Sequence, residues 1–390
     1  MSPDMMQFDS DVHVMQHALE LARRGRGHVE PNPMVGAVVV TADRVWIADG
    51  VHQQFGGPHA EIHAITASGD RTRGADLFVT LEPCSHFGKT PPCADAVIRA
   101  GFRRVVIGCS DPAPHVDGKG IRRLRDAGID VVVGVCEADS RLLIAPFERL
   151  MLHGRPWVLA KWAMTLDGRI ASRTGHSKWI SCDESRACVH QLRGCMDAII
   201  TGAGTVRADD PLLTARPAGP RRPLRVIIDS MGTSVTAATQ LARSLSDGGI
   251  VVCVAANCRL SELERVASLG CTTLVTSTPD CVNLTDVLDE LGRRKCTNVL
   301  LEAGPKLLGS FFDQQLADEV MVFVAPKIIG GGDAPGPIGG LGADKIPAFP
   351  NLTDCEWTRS GTDLRFRATI CRTPHITPAD RPTKILSKFS

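Results

Sequence analysis

Three hundred and ninety residues, at the usual ~100 to 200 per domain, are enough for two or three domains with their own cores, which excludes a peptide, a lone finger or a single small module. Apolar residues at 43% and charged residues at 22% match soluble globular chains and exclude wholesale disorder or a fibrous repeat. Forty-four basic against 43 acidic side chains leave a net charge of +1, so no overall field steers the chain onto nucleic acid or an anionic membrane, and any anionic partner must be met locally.

Taken in chain order, Val14 to Arg24 carries apolar residues at helical spacing, Pro31-Asn32-Pro33 breaks the chain, and Met34 to Val40 reads as a buried strand. Strands follow at Asp76 to Leu81, Arg104 to Gly108 and Asp130 to Val135, with helices between them at His59 to Ser68, Cys93 to Ala100 and Gly120 to Ala127. This alternation implies a layered α/β sheet. A connecting helix from Ser140 to His153 stops at Gly154-Arg155-Pro156, which sets the expected domain boundary: 1–150, then 151–372.

Beyond it the rhythm restarts. Trp157 to Trp162, Ala198 to Thr201, Leu224 to Asp229, Gly249 to Ala256 and Asn298 to Glu302 read as strands, Asp183 to Arg193 as a helix, with another from about Lys306. The second α/β domain has no visible similarity to the first. Gly330 to Gly342 reads as a connecting loop, and 373–390, proline-rich with a basic end, as a solvated tail. Met1 to Asp11 has no basic or apolar targeting pattern, and no stretch reaches the ~18 uninterrupted apolar residues of a membrane span, so a cytoplasmic protein is expected. The 14 cysteines are scattered rather than clustered as a disulfide framework, and most read as buried thiols.

Cys84 and Cys93 ask for another explanation. His59-Ala60-Glu61 opens a helix, Pro83-Cys84 follows a strand about twenty-five residues later, and Cys93 comes after a loop. One imidazole and two thiolates are three soft or borderline ligands, and three protein ligands with an open fourth position is how a catalytic zinc is held. Zinc lowers the pKa of a bound water toward neutrality, while the unligated Glu61 can carry its proton to a leaving amine. His-x-Glu with Pro-Cys-x-x-Cys is the pattern of zinc deaminases, but here the two cysteines stand nine positions apart. His63, four residues after His59, reads as packing or as a support behind the ligands rather than as a ligand. His86 and Lys89, in a loop that must lie beside the metal, read as substrate contacts.

The stretches Pro31-Asn32-Pro33-Met34-Val35-Gly36, His59-Ala60-Glu61 and Thr80 to Cys93 resemble the pyrimidine deaminase half of the bacterial bifunctional riboflavin biosynthesis proteins, whose long loop between the cysteines is specific to that family among cytidine deaminase-like proteins. The resemblance implies a cytidine deaminase-like three-layer α/β/α fold with one zinc per chain on His59, Cys84 and Cys93. It implies further that Glu61 is the catalytic acid and base, and that Asn32, His52, His86 and Lys89 bind the substrate.

In the second half, Lys161 to Ile170 leads from a strand into a turn, and Gly202-Ala203-Gly204-Thr205-Val206 follows another strand. This is not the Gly-x-Gly-x-x-Gly dinucleotide fingerprint, because Val206 and Arg207 follow Thr205. Val299 to Ser310 is more telling. A strand ends in Glu302 and a glycine turn, then a helix starts with unpaired amides that could receive a nucleotide phosphate; a purely structural turn would account for the glycine equally well.

These motifs, with Ala325-Pro326-Lys327-Ile328-Ile329-Gly330-Gly331, resemble the reductase half of the same family. The resemblance covers about Val12 to Arg372, in the family order of deaminase then reductase, and implies a dihydrofolate reductase-like α/β fold that uses NADPH. By that resemblance Ala163, Trp179, Thr205, Asp209, Ser230 and the run Gly304, Pro305, Lys306, Leu307, Leu308, Gly309 and Ser310 contact NADPH. Ser177, Arg193, Leu213, Arg216 and Glu302 contact the sugar phosphate, whose phosphate suits two arginine forks, and Lys161 assists near the reacting carbon. The implied reactions are hydrolytic loss of the 2-amino group of 2,5-diamino-6-(5-phosphoribosylamino)pyrimidin-4(3H)-one, then reduction of the ribosyl chain to ribityl. A small phosphorylated pyrimidine as substrate, a homo-oligomer, and no nucleic-acid or membrane partner complete the expectation. The rival reading is a nucleic-acid deaminase with an appended binding domain. It would want a basic stripe or exposed aromatic platforms, against a net charge of +1, 4% aromatics and no tyrosine.

Overall fold

The computed structural model describes residues 6–85, 91–112, 118–345 and 351–371. The chain packs as two compact units, Met1–Val158 with Arg186–Glu302, and Leu159–Ser185 with Ala303–Ser390. This division of packing does not follow the order of the two halves along the chain.

The first unit opens with helix α1 (Asp11–Arg23), whose free amides are met by Ser10: its hydroxyl accepts from His13 N at 3.3 Å, and Asp11 and Arg23 lie at the ends that complement the helix dipole. There follow β1 (Gly36–Val40), β2 (Trp46–Val51), α2 (Ala60–Ser68), β3 (Asp76–Leu81), α3 (Cys93–Ala100), β4 (Arg104–Cys109), α4 (Lys119–Asp126), β5 (Asp130–Val133) and α5 (Glu137–His153). The strands form one sheet, β2-β1-β3-β4-β5, antiparallel at β2-β1-β3 and parallel from β3 to β5. Period-two alternation sends Val38, Val40, Phe78 and Val106 to one face, against Val14, Met15 and Ala18 of α1. Ala37, Val39, Leu77, Val79 and Val105 go to the other, against Ala60, Ala64, Ala94 and Val97 of α2 and α3. This is the three-layer α/β/α arrangement the family resemblance implies, and it bears out the layered α/β sheet read from the alternation. Gly50 lets α2 lie directly on β2, since a Cβ there would sit 2.2 Å from the Ala60 carbonyl oxygen.

Strand β6 (Trp157–Thr165) carries the chain into the second unit and α6 (Asp183–Arg193) returns it. The remainder of the first unit is β7 (Ala198–Gly202), α7 (Ala203–Asp209), β8 (Leu224–Ile228), α8 (Gln240–Arg243), β9 (Ile250–Val254), α9 (Leu260–Ser268), β10 (Thr272–Val275), α10 (Leu284–Arg293) and β11 (Asn298–Leu301). Its strands run parallel in the order β10-β9-β8-β7-β11, and their near-continuous apolar runs suit strands covered on both faces. In the second unit, α11 (Pro305–Asp313), β12 (Glu319–Ala325), β13 (Asn351–Ser360) and β14 (Asp363–Cys371) join β6. β6 pairs with β12 in parallel, and β12-β14-β13 continue antiparallel.

The limits of β3, α3 and α6 are those read from the sequence. Strand β2 is absent from that reading because Asp49 and Gly50 disguise it; its place is decided by pairing with β1. The segment Gly202 to Val206 takes the chain from the end of β7 directly into α7, where Gly204 faces open space. Of the fourteen cysteines only five are buried, seven are half-buried, and Cys281 and Cys355 are exposed, so the expectation of mostly buried thiols is corrected. Among the described residues no helix is long and apolar enough to cross a membrane. The expected tail at 373–390 lies outside the described residues.

Candidate functional site

His59 stands immediately before α2 with extended backbone, so its ring projects sideways from the helix start. Cys84 follows the Glu82-Pro83 step off β3, and Cys93 is the first residue of α3. The three converge. Their ligand atoms lie within 4.8 Å of one another, with His59 Nδ1 3.2 Å from Cys93 Sγ and 3.7 Å from Cys84 Sγ. The Cys93 amide donates to Cys84 Sγ at 3.3 Å and the Ala94 amide to the Cys84 carbonyl at 3.1 Å, which fixes the two cysteines to each other through the start of α3. Among the described residues this is the one such cluster of potential metal ligands.

Cys84 is drawn down to about 4, chiefly by its hydrogen bond with Cys93, with His59 adding to it, while Cys93 is pushed up by the same contact and by burial. Two adjacent thiolates repel, so without added charge they share a proton. A divalent cation of borderline softness suits this donor set, one nitrogen and two sulfurs, and would ionise both thiols. Glu61, the second residue of α2, is buried; burial pushes its carboxyl up and the neighbouring His59 opposes this.

His52 lies edge-on to His59, ring centroids 5.3 Å apart. Its Nδ1 is 3.0 Å from the Pro58 carbonyl oxygen, an obligate acceptor, so the proton sits there and Nε2 accepts from Asn32 Nδ2 at 3.1 Å. That bond orients the Asn32 amide. His63 lies over Gly50, its Cβ 3.0 Å from where a glycine-replacing Cβ would stand. His86 and Lys89 lie outside the described residues. Missed by the sequence reading is Glu82. Its buried carboxylate accepts from the amides of Asp111, Gly118, Gly120 and Ile121 at 2.8 to 3.2 Å, anchoring the segment that carries Cys84 to the start of α4.

In the other part of the first unit, Arg193 at the end of α6 and Glu302 just beyond β11 form a two-point ion pair, Nε to Oε1 at 2.6 Å and Nη2 to Oε2 at 3.0 Å. Arg193 also reaches the Thr214 carbonyl at 3.3 Å, and Arg216 Nη1 donates to Thr214 Oγ1 at 3.1 Å. Leu213 between them is buried and has a positive φ of 55°. This turn is held from below by Arg225, a fully buried guanidinium that donates to the Leu212 carbonyl at 3.3 Å and to Ser244, an anchor the sequence does not announce. Thr205 and Asp209 lie on α7, and Ser230 follows β8, its carbonyl accepting from the Ala255 amide.

In the second unit, Lys161 and Ala163 are half-buried on β6, Ser177 is half-buried, and Trp179 is exposed. Lys327 secures the Trp179 loop, its Nζ donating to the carbonyls of Trp179 and Ile180 at 2.8 Å. Asp167 is held down at about 2, first by the Thr165 hydroxyl and then by the Gly330 amide, and so ties the β6 turn to the glycine-rich loop. Gly304 leads into α11 with Pro305 at its first turn, leaving its first amides without a side-chain cap. Within Gly304 to Ser310 the chain divides its labour: Lys306 is exposed, whereas Leu308 is wholly buried and Gly309 sits against Gly339, where a Cβ would meet backbone at 2.3 Å.

Residues 9–109 match the cytidine and deoxycytidylate deaminase zinc-binding region, and residues 156–366 match the RibD C-terminal domain. The riboflavin biosynthesis protein RibD of Bacillus amyloliquefaciens is 40% identical, over 91% of this chain and 95% of that one, and the RibD of Escherichia coli K12 is 36% identical, over 91% and 98%. Among solved structures, RibD of Acinetobacter baumannii superposes with a TM-score of 0.78 at 33% identity, covering 93% of this chain and 99% of that one. A diaminohydroxyphosphoribosylaminopyrimidine deaminase/5-amino-6-(5-phosphoribosylamino)uracil reductase from Thermotoga maritima gives 0.77 at 37%, covering 92% and 98%. With a deaminase zinc region followed by a RibD C-terminal domain, and likeness over nearly its full length, the chain belongs to the RibD family of bifunctional riboflavin biosynthesis proteins.

Proposed function

We propose that the chain carries out two consecutive steps on one small phosphorylated pyrimidine: hydrolytic deamination in the first half and NADPH-dependent reduction of the ribosyl chain to ribityl in the second. The observation that carries this reading is the convergence of His59, Cys84 and Cys93 beside a buried, unligated Glu61. Zinc held by these three would supply a polarised water at neutral pH. Glu61 takes a proton from the water and delivers it to the departing amine, so water and amine become a ring carbonyl and ammonia. His52 keeps the Asn32 amide aimed at the pyrimidine, and the His86 and Lys89 loop contributes further contacts.

For the reduction, NADPH supplies the hydride and the protein supplies orientation. Arg193 and Arg216, with Leu213 setting the turn between them, receive the sugar phosphate, while Glu302 holds the Arg193 fork in one plane. By the family resemblance Ser177 also contacts the sugar phosphate, and Lys161 assists near the reacting carbon. Ala163, Trp179, Thr205, Asp209, Ser230 and the residues from Gly304 to Ser310 are the NADPH contacts that the family resemblance carries to this chain. Homo-oligomeric assembly and a cytoplasmic location belong to the same reading.

The test uses purified full-length protein with the diaminopyrimidine ribotide, following ammonia release and NADPH oxidation together and quantifying zinc on the same sample. Ammonia release, then NADPH oxidation, with about one zinc per chain is the expected result. Zinc without either signal would overturn the substrate assignment, and ammonia without NADPH oxidation would overturn the assignment of the second half.

A further inference from the structure

Beside the two arginines assigned to the sugar phosphate stands a third cationic-capable group. His190 lies on α6 three residues before Arg193 and therefore on the same face of the helix. Its Nδ1 is 3.2 Å from the Thr214 carbonyl oxygen, the same atom that Arg193 Nη1 approaches at 3.3 Å. A carbonyl only accepts, so the ring proton sits on Nδ1 and Nε2 presents a lone pair, 3.4 Å from Arg216 Nη2. The charged groups facing the ring are Arg193 on its own helix, Arg216 on the turn after Leu213, and Glu302 beyond β11. Glu302 is committed to Arg193 through two hydrogen bonds, whereas Arg216 has no carboxylate partner among the described residues. An imidazole accepting from an arginine that lacks a counter-ion is an arrangement awaiting an anion.

We propose that His190 is a third anion-binding group of the reductase's phosphate subsite, turning from hydrogen-bond acceptor to donor when a phosphate dianion arrives. The proposal rests on the reading that Arg193 and Arg216 receive the sugar phosphate. Burial first and then the two arginines hold the imidazole below its ordinary value, with Glu302 pulling the other way, so the ring is neutral near pH 7. A dianion beside Arg216 reverses the balance: a proton from solvent adds to Nε2, which then donates to a phosphate oxygen while Nδ1 keeps its bond to Thr214. The sign follows by linkage. Affinity for a dianion is highest at acid pH, where the ring is protonated before and after binding, and falls as pH rises toward the imidazole's value in the complex. Selection of a phosphorylated sugar over its unphosphorylated counterpart therefore weakens with rising pH above about 6, where the phosphate is already a dianion.

Sulfate is the probe, because it keeps both charges across the range and contributes no titration of its own. Its binding to the full-length zinc-loaded protein is measured by calorimetry from about pH 5.5 to 8.5. The expected result is a loss of about tenfold in affinity across that range, the equivalent of a one-unit change in the imidazole's pKa on binding. His190→Gln should bind weakly and without pH dependence. A flat profile in the unsubstituted protein, or an unchanged slope in His190→Gln, would overturn the proposal. Should His190→Gln not fold, titration of the unsubstituted protein near pH 7 in two buffers of different ionisation heat decides: net proton uptake supports the proposal and none overturns it. Arg216→Ala separates the two levels. If it binds sulfate as tightly as the parent, the phosphate-subsite reading fails and takes the proposal with it; if it binds weakly while His190→Gln retains the slope, only the proposal fails.

Discussion

The deaminase centre and the reductase surface of this chain are assembled on opposite principles. His59, Cys84 and Cys93 come from two helix starts and a strand end, and their donor atoms lie within 4.8 Å of one another. The residues proposed for the reductase lie on or beside β6, α6, α7, β8, β11 and α11, and several of them, such as Ala163, Leu213 and Leu308, bring no reactive atom. A reaction that depends on a bound cation demands particular donor atoms, whereas one in which a cofactor carries the chemistry demands shape. The first kind of site is concentrated in residue type and the second in geometry, and substitutions should divide along that line.

The sharpest way to break the contrast is Glu61→Gln. Losing the one proton-carrying group should lower deamination by about 10² to 10⁴-fold while NADPH oxidation on supplied deaminated substrate is unchanged. Loss of both activities in a folded, zinc-loaded variant would contradict two independent sites.

Next in size is Arg221→Ala, which sharpens the comparison because its guanidinium serves both halves. It pairs with buried Asp197, beside β7, and approaches Glu30, two positions before Asn32, at 3.8 Å. Removing it strands two buried carboxylates, an expected loss of about 3 to 5 kcal/mol in a denaturant titration. Burial raises the Glu30 carboxyl in the folded chain, with Arg221 opposing it. A raised acid in the folded state binds its proton where the unfolded chain has lost it, so stability falls as pH rises through that window. The variant should therefore lose stability with rising pH more steeply than the parent. Equal slopes would show that Glu30 does not feel Arg221.

The smallest effect belongs to Arg216→Lys, which keeps the charge and loses the fork. The KM of the reduction should rise about five- to tenfold with kcat and deamination unchanged. A fall in kcat instead would place Arg216 at the reacting carbon rather than at the phosphate.

Much of the fold was legible where periodicity is local. Apolar spacing placed β3, α3 and α6 at their observed limits, and the alternation of strands with helices led to the layered α/β sheet of the first half. Strand β2 and the antiparallel β12, β13 and β14 were not legible, because polar, glycine-bearing or exposed segments become strands through the neighbour they pair with. At the deaminase centre the donor set was legible, while Glu82 was not. Its role is to satisfy amides 29 to 39 positions away, which no local spacing records.

By itself, the sequence determined which chemistry is available: one imidazole, two thiols and a nearby carboxylate in a fixed order, ahead of a second α/β segment with its arginines and glycine turns. Only the tertiary structure decided how those groups are tuned. The proton position on His52 depends on a carbonyl at Pro58, the Arg193 fork is matched to a glutamate 109 positions away, and His190 meets Arg216 across a turn. Residue type sets what an atom can donate or accept, but closing the chain decides which partner it meets, and burial around that partner decides its charge.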